Sequence, residues 1–346
     1  MMSNLPTEHL QVQDIGEQGL LERLQRFCPP DVIGDDAAVL VTESEQSLVV
    51  TTDMLVDGVH FSDVTTSPED AGWRAAAANL SDLAAMGAFP LGITIGLGLP
   101  GDVSVQWVER LYQGMTECLQ KYNVPIVGGD IVRSPITTLA ITAFGQATAN
   151  FIIRRSTAQV GDAIVVTGIH GASRAGLELL LHPEIGQNLK TDEKAALITA
   201  HQRPKPRLDV IPILKEIFPS PCSLLPAPCL ISGMDSSDGL ADAVLQICRA
   251  SKVGAILEQS KIPLPSAFNN WLSPERSLHY ALYGGEDFEL VLCLPLQAAL
   301  TLVQKLGASA AIVGTITPGS TVILQHENKK IPDQVLNLSQ GFQHFN

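Results

Sequence analysis

Apolar residues recur at helical spacing early in the chain, where Ile15, Leu20, Leu21, Leu24 and Phe27 form a stripe over residues 14–27 that Pro29-Pro30 ends. Ser47 to Thr52 is rich in β-formers and predicts a strand with Asp53 at or just beyond its end. Ser67-Pro68-Glu69 reads as a helix start, with Ser67 as cap, Pro68 in the first helical position and acids in the first turn. That helix is expected to run to about Met86, with Gly87 as its stop. Leu91 to Leu99 alternates as a strand, Val103 to Tyr122 is an amphipathic helix, and Val124 to Gly128 and Thr137 to Ala147 are further strands.

The pattern closes near Thr157 and restarts at Gly161. Ala163 to Thr167 predicts a strand, Gly171 to Leu181 and Lys194 to Gln202 helices, and Arg203-Pro204-Lys205-Pro206 a break before a helix from Asp209 to Ile217. Pro219 to Pro228 reads as a loop, because prolines cannot sustain either regular structure there. Helices follow at Gly239 to Arg249, Pro274 to Tyr283 and Leu296 to Leu306, with strands at Val253 to Leu257, Phe288 to Cys293 and Ala310 to Ile316. The order predicts an α+β chain of two domains, residues 1–157 and 158–346, the first with its helices on one face of a sheet.

Composition narrows the function classes. With 346 residues and 45% hydrophobic positions, the chain is long enough for two cores. Its formal net charge of −14 argues against a nucleic-acid partner, which needs a basic stripe, and against an anionic membrane surface. The six cysteines show neither a C-x-x-C pair nor zinc-ligand spacing and read as buried or incidental thiols. Neither a leader peptide nor a membrane-spanning run is recognisable, so a cytoplasmic location is expected.

Several aspartates stand where a strand or helix meets a loop. Gly34-Asp35-Asp36 is either a turn or, since adjacent carboxylates repel without a cation between them, a metal contact. Thr51-Thr52-Asp53 offers two hydroxyls and a carboxylate beside an apolar strand. Asn79 and Asp82 share a face of an alanine-rich, apolar helix, and a carboxylate buried there needs a metal or hydrogen-bond donors. Gly128-Gly129-Asp130 is a strand-ending turn or a place where bare backbone amides face an anion.

In the second half, Asp235-Ser236-Ser237-Asp238-Gly239 opens a helix whose N-terminus suits a phosphate, although its hydroxyls also suit capping. Asp242, one turn on, is compatible with plain solvation. Gly284-Gly285-Glu286-Asp287-Phe288-Glu289 is a glycine turn entering a strand, with Glu286 at a rim where a cation could lie and Glu289 compatible with surface charge. His60 is a packed or surface histidine unless its nearness in sequence to Asp53 is functional, and Tyr112 is a core residue or a base-contacting aromatic. Arg155 is a candidate phosphate contact. Hard oxygen donors beside glycines suit magnesium-bridged polyphosphate, hence an ATP-dependent phosphoryl transfer.

In this order the segments resemble the thiamine-monophosphate kinase family, in the superfamily of aminoimidazole ribonucleotide synthetase and selenophosphate synthetase. The matching stretches are Gly34-Asp35-Asp36-Ala37-Ala38, Thr52-Asp53 with Gly58-Val59-His60-Phe61, Asn79 to Ala88, Gly128-Gly129-Asp130, Ser236-Ser237-Asp238-Gly239-Leu240 and Gly285 to Leu290. The resemblance implies the aminoimidazole ribonucleotide synthetase fold, with a mixed sheet in the first domain, an α/β sandwich in the second, and the active site between them. It implies ATP and several Mg²⁺, thiamine monophosphate as acceptor, and a homodimer formed through the first domains. By that pattern Asp36, Asp53, Asp82, Asp130, Asp235 and Asp238, with Thr51 and Thr52, hold metal, and Asp53 and Asp130 are the catalytic pair. Gly129, Arg155, Ser237 and Tyr112 contact the nucleotide, while His60, Glu286 and Phe342 contact thiamine phosphate.

The N-terminal dozen residues and the Pro219 to Pro228 loop depart from the pattern by their length, and Phe342 stands where Tyr or Trp also occurs. Selenophosphate synthetase and the hydrogenase-maturation dehydratase are the neighbouring alternatives. The first carries a reactive Cys or selenocysteine near its start and the second a terminal cysteine, whereas Cys28 here precedes two prolines and the sequence closes on His344-Phe345-Asn346. A non-catalytic, metal-loaded nucleotide sensor is the alternative outside enzymes.

Overall fold

The computed structural model describes residues 10–29, 40–219, 231–327, 332–337 and 340–341. Asp35, Asp36, Phe342 and all but the first residue of the Pro219 to Pro228 segment lie outside the described residues. The chain divides into two compact units, one of residues 1–83 and 90–146 and one of residues 84–89 and 147–346.

In the first unit, β1 (Gln46–Val56), β2 (Phe89–Leu99), β3 (Ile126–Arg133) and β4 (Thr138–Thr148) form a sheet in the order β1-β4-β2-β3, with β2 and β3 parallel. Helices α1 (Val12–Leu24), α2 (Pro68–Ala85) and α3 (Val105–Gln120) accompany it. The expected start of α2 is realised: the Asp70 amide donates to the Ser67 hydroxyl at 3.2 Å, and that hydroxyl donates to the Asp70 carboxylate. Ala75, Ala76, Ala77, Leu80, Leu83 and Ala84 are fully buried, so α2 is apolar nearly all round because it is packed nearly all round.

Two glycines set how closely α2 and α3 approach. A Cβ on Gly72 would lie 1.9 Å from the Leu111 carbonyl oxygen, and one on Gly114 would lie 1.8 Å from that of Glu69. No side chain fits at either position without moving a backbone. Across this contact Arg110 donates to both carboxylate oxygens of Glu69, at 2.7 and 2.8 Å.

Strand β1 has one half-buried and one open side. Leu48, Val50 and Met54 are exposed on alternate positions, while Leu55, on the Thr51 and Asp53 side, is buried. Two boundaries differ from expectation. β1 continues three residues past Asp53, because the alternation of sides persists through Val56. β3 runs to Arg133 rather than ending at Gly128, so Gly129 and Asp130 lie inside a strand. The glycines permit this: a Cβ on Gly129 would meet the Ile95 carbonyl of β2 at 2.4 Å.

The second unit carries β5 (Ala163–Val166), β6 (Ser232–Asp235), β7 (Gly254–Glu258), β8 (Leu290–Leu294), β9 (Ala311–Thr317), β10 (Val322–Gln325) and β11 (Gln334–Val335), in the order β11-β10-β7-β9-β5-β8-β6. Only β7 and β10 pair in parallel among these neighbours. Its helices are α4 (Ala172–Leu181), α5 (Thr191–Gln202), α6 (Val210–Ile217), α7 (Leu240–Ser251), α8 (Pro274–Tyr283) and α9 (Leu296–Leu306). Leu240, Val244 and Ile247 of α7 share a core with Val166, Met234, Val291 and Cys293, and α9 packs on β5 and β9. Strands β5 and β8 and the edge strand β6 are buried along their whole length, which is why they lack alternation.

β6, β10 and β11 were not expected from the sequence; β6 contains only Ser-Gly-Met-Asp, a poor strand former stabilised by its pairing with β8. β8 begins at Leu290 and not at Phe288, whose φ of +51° is incompatible with a strand. Among the described cysteines, Cys118, Cys248 and Cys293 are buried and Cys28 is half-buried, all as free thiols.

Gly72→Ala tests the α2–α3 contact. Helix propensity favours the alanine by about 1 kcal/mol, but forcing Cβ against a backbone carbonyl costs up to about 3 kcal/mol. The expected net loss is about 2 kcal/mol, read as a lower urea midpoint at unchanged slope. An unchanged or raised midpoint contradicts the contact.

Candidate active site

The first unit positions its candidate residues on β1, α2 and β3. Thr51 faces α2 and its hydroxyl donates to a carboxylate oxygen of Asp82, which is half-buried. Asp53 lies on the same side of β1 as Thr51, whereas Thr52 lies on the opposite side and shares a hydrogen bond with Thr142 of β4. Asn79, one turn before Asp82, is fully buried and donates to the Ala75 carbonyl at 3.0 Å. Asp130 is exposed on β3, with its carboxylate accepting from the Ile131 amide at 3.0 Å.

His60 sits in the turn after β1, where its Nδ1 accepts from the Val56 amide at 3.1 Å; its carbonyl accepts from Arg74, a buried side chain. Tyr112 is buried in α3 with its ring 5.6 Å from that of Phe27, and burial raises its hydroxyl well above the ordinary tyrosine range.

The second unit gathers its candidates around the N-terminus of α7. Asp235 ends β6 with 3% exposure, and the Ser237 hydroxyl donates to its carboxylate at 3.1 Å. Asp238 is exposed two residues before the helix. Asp242 is half-buried rather than simply solvated, and its carboxyl is pushed above the usual range by burial and then by the like charge of Asp238, with Arg155 pulling the other way. Arg155 begins a short 3₁₀ turn whose carbonyl accepts from Ser251 at the far end of α7. The structure thus brings Asp235, Ser237 and Asp238 to the N-terminal end of α7, while the backbone of Arg155 is held at the other end of that helix.

The segment 284–289 is clamped to this loop. The Glu286 amide donates to the Ser237 carbonyl at 2.6 Å, and a Cβ on Gly285 would sit 2.7 Å from that same oxygen, so glycine is required. Asp287 reaches the N-terminus of α4 and accepts from the amides of Gly171 at 2.6 Å and Ser173 at 2.9 Å. Burial pushes its carboxyl up to about 7, with the two amide bonds pulling it down.

Glu289 is not a surface charge. Its carboxylate accepts from Arg207 at 2.5 Å and from the Thr167 hydroxyl at 2.6 Å, and its carbonyl accepts from the Ser236 amide at 2.8 Å. Glu289 lies just before β8, outside the strand alternation that the sequence suggested, and its carboxylate is covered by the segment that carries Arg207. His170, fully buried, holds Ser236 from behind through Nε2 at 3.1 Å, and burial lowers its pKa to about 4.

Hydroxyl and carboxylate oxygens, as in the pairs Thr51–Asp82 and Asp235–Ser237, are the donor chemistry a hard cation takes. Among the described residues, no three acidic, histidine or cysteine side chains converge into a complete metal cage.

Comparison with known proteins identifies the family. The model of the AIR synthase related protein N-terminal domain matches residues 34–147, and that of the C-terminal domain matches residues 159–327. Thiamine-monophosphate kinase of Synechococcus elongatus is 51% identical over 335 residues, covering 96% of this chain and 98% of its own. The chain belongs to the thiamine-monophosphate kinase family. The Escherichia coli K12 enzyme of that name is 38% identical over 270 residues, with 76% of each chain covered. Among solved structures, thiamine-monophosphate kinase from Stenotrophomonas maltophilia aligns with a TM-score of 0.75 at 31% identity, covering 88% of this chain and 95% of its own. AaThiL complexed with AMPPCP and TMP aligns at 0.70 and 30% identity, over 94% and 98%. Hydrogenase maturation protein HypE in complex with ATP, at 20% identity and a TM-score of 0.73, shares the fold.

For a thiamine-monophosphate kinase family chain, the residues that sequence reasoning missed are the buried ones behind the loops: Thr167, His170, Ser173, His201 and Arg207. Arg207 had a usable signal, since a charged residue directly after a Pro-Lys-Pro break and before an apolar helix calls for a partner. The two histidines had none, because only tertiary packing distinguishes them from surface residues.

Two measurements check this shell. Arg207→Ala leaves Glu289 buried beside Thr167, and unfolding should show a loss of about 3 kcal/mol or more; a loss below about 0.5 kcal/mol contradicts the pairing. His170 has a folded pKa below its unfolded value, so the unfolded chain binds the extra proton and its contribution is lost as pH falls from about 6.5 to about 4. The melting temperature of the wild type should therefore drop more steeply across that interval than that of His170→Gln, and parallel curves rule the assignment out.

Proposed function

We propose that this chain transfers the γ-phosphate of ATP to thiamine monophosphate, giving thiamine diphosphate and ADP. The observation that carries the reading is the junction at Ser237. Its hydroxyl holds the carboxylate of Asp235, and its carbonyl holds the amide of Glu286. A phosphate-side acidic loop and a carboxylate suited to a cationic acceptor are thereby fixed to each other, which matches a substrate bearing a phosphate at one end and a positive thiazolium at the other. The 51% identity over 335 residues to the Synechococcus elongatus thiamine-monophosphate kinase supports the same substrates.

In this reading Asp53, Asp82, Asp130, Asp235 and Asp238, with Thr51, hold several Mg²⁺ ions, and Asp36 belongs to the same set; Thr52, whose hydroxyl is turned to the opposite side of β1 toward Thr142, can join them only through its backbone. Bound magnesium supplies neutralisation of the phosphates, which otherwise repel at short range. Gly129, Arg155, Ser237 and Tyr112 serve the nucleotide; of these, the burial of Tyr112 restricts it to a role in shaping the wall. His60, Glu286 and Phe342 serve the acceptor.

Little covalent chemistry falls to the protein in phosphoryl transfer, so positioning and charge stabilisation carry the rate. Transfer is direct and in line, with Asp53 and Asp130 as the catalytic pair and no phosphoenzyme. The exposed apolar side of β1, with Leu48, Val50 and Met54, supports pairing of two chains through their first units as a homodimer. Residues 1–157 then serve ATP, metal and dimerisation, and 158–346 complete the site. No helix among the described residues is long and apolar enough to cross a membrane.

Incubation with Mg-ATP labelled in the γ position and thiamine monophosphate should place the label in thiamine diphosphate and none on the protein. Asp130→Asn should lower kcat by about 100-fold or more, the scale of losing a group that acts in the transition state. Label trapped on protein, or full turnover by the Asp130 variant, refutes the corresponding assignment, and transfer only to a different phosphate ester refutes the acceptor.

A further inference from the structure

The buried histidine of α5 stands behind Glu286, the candidate acceptor contact among the described residues of the second unit. His201 is 2% exposed, and its Nδ1 lies 3.7 Å from a carboxylate oxygen of Glu286, whose own side chain is 35% exposed. That separation is longer than a hydrogen bond but within reach of one small side-chain rotation, and contacts of this kind tighten when a ligand orders the site. The imidazole itself has little freedom. Its Nδ1 is also 3.2 Å from the Ser173 hydroxyl, so a single Nδ1–H is shared, with the Ser173 oxygen accepting it beside Glu286, and Ser173 is 1% exposed. Its backbone is fixed by the approach of α4 to α5 at Gly176, where a Cβ would lie 2.1 Å from the Leu197 carbonyl and 3.0 Å from the His201 Cβ.

The backbone of Glu286 is fixed as firmly from the other side. Its φ is +58°, a left-handed conformation that costs a non-glycine residue about 1 kcal/mol or more. The surroundings hold it there: the Glu286 amide is committed to the Ser237 carbonyl, and the next residue, Asp287, is bound to the amides of Gly171 and Ser173. Ser173 therefore touches both arms, Asp287 through its amide and His201 through its hydroxyl. With the backbone set, the remaining freedom of Glu286 is in its side chain, and His201 is a buried polar group that faces it.

We infer that His201 is a positioning residue for acceptor binding: braced by Ser173, it fixes the orientation in which Glu286 presents its carboxylate to the cationic ring of the acceptor. The inference rests on the proposed function, which gives Glu286 its role. His201 does not touch substrate, so its effect passes entirely through Glu286, and the nucleotide is indifferent to it.

A double-mutant cycle on the full-length chain, with KM measured separately for each substrate, tests the route. His201→Phe should raise KM for thiamine monophosphate about tenfold, the scale of losing one hydrogen bond to a charged group, and leave KM for ATP unchanged. In a Glu286→Ala background the same substitution should change it by less than about twofold. His201→Asn, which keeps an N–H donor where Nδ1 stands, should stay within about threefold of wild type. Ser173→Ala, a smaller change, should raise KM for the same substrate in the same background-dependent way, so the test survives if His201→Phe fails to fold.

Equal factors in both backgrounds, a parallel rise in KM for ATP, or a lowered melting temperature with unchanged KM overturns the inference. The wild type is run alongside: if it makes no thiamine diphosphate, the proposed function falls and takes this inference with it. If the wild type is active and the factors do not depend on Glu286, the inference alone falls.

Discussion

The carboxylate of Glu289 joins segments of the second unit that are far apart in sequence. It receives the guanidinium of Arg207 and the hydroxyl of Thr167, while the carbonyl of the same residue takes the amide of Ser236. A buried carboxylate is expensive to desolvate, and one left without donors would cost several kcal/mol. The loop after β5, the approach to α6 and the end of β6 are therefore all held to the start of β8. Thr167 adds a further tie, since its hydroxyl also accepts from the Leu290 amide at 2.8 Å. The acidic loop from Asp235 to Asp238 inherits its place from this arrangement, and the neighbouring Asp287 gives α4 its cap.

Much of the architecture was legible because hydrophobic period and end signals agreed. Helix α2 illustrates this: Ser67, Pro68 and Gly87 marked its ends, and an apolar circumference marked its burial. The strands that escaped, β6, β10 and β11, are short and gain their order from neighbours, so local sequence carries little of the information. Gly129 and Asp130 were placed in a turn for a related reason. Consecutive glycines usually mark turns, but here they let an edge strand pass close to Ile95.

The candidate site was legible to a different depth. Carboxylates and hydroxyls beside glycines announced themselves at Thr51, Asp82, Asp235 and Asp238, and the structure pairs Thr51 with Asp82 and Asp235 with Ser237. The support behind them did not. Whether an isolated histidine such as His170 or His201 is buried depends on segments dozens of residues away, and Glu289 looked like surface charge until Arg207 was found against it. Short-range pattern identifies groups that face a ligand, whereas the groups that hold them are set by long-range packing.

Glu286 and Phe288 both adopt positive φ, on either side of an aspartate that is bound at two points. Such a segment resists relaxation, because each unfavourable torsion is locked by a neighbour that would lose its own bonds if the torsion relaxed. Its conformational entropy is surrendered once, when the chain folds, and not again at each encounter with a small molecule. A short, strained turn can in this way give a weakly binding cationic ligand a rigid contact, with selectivity set by the direction of one carboxylate more than by the depth of a pocket.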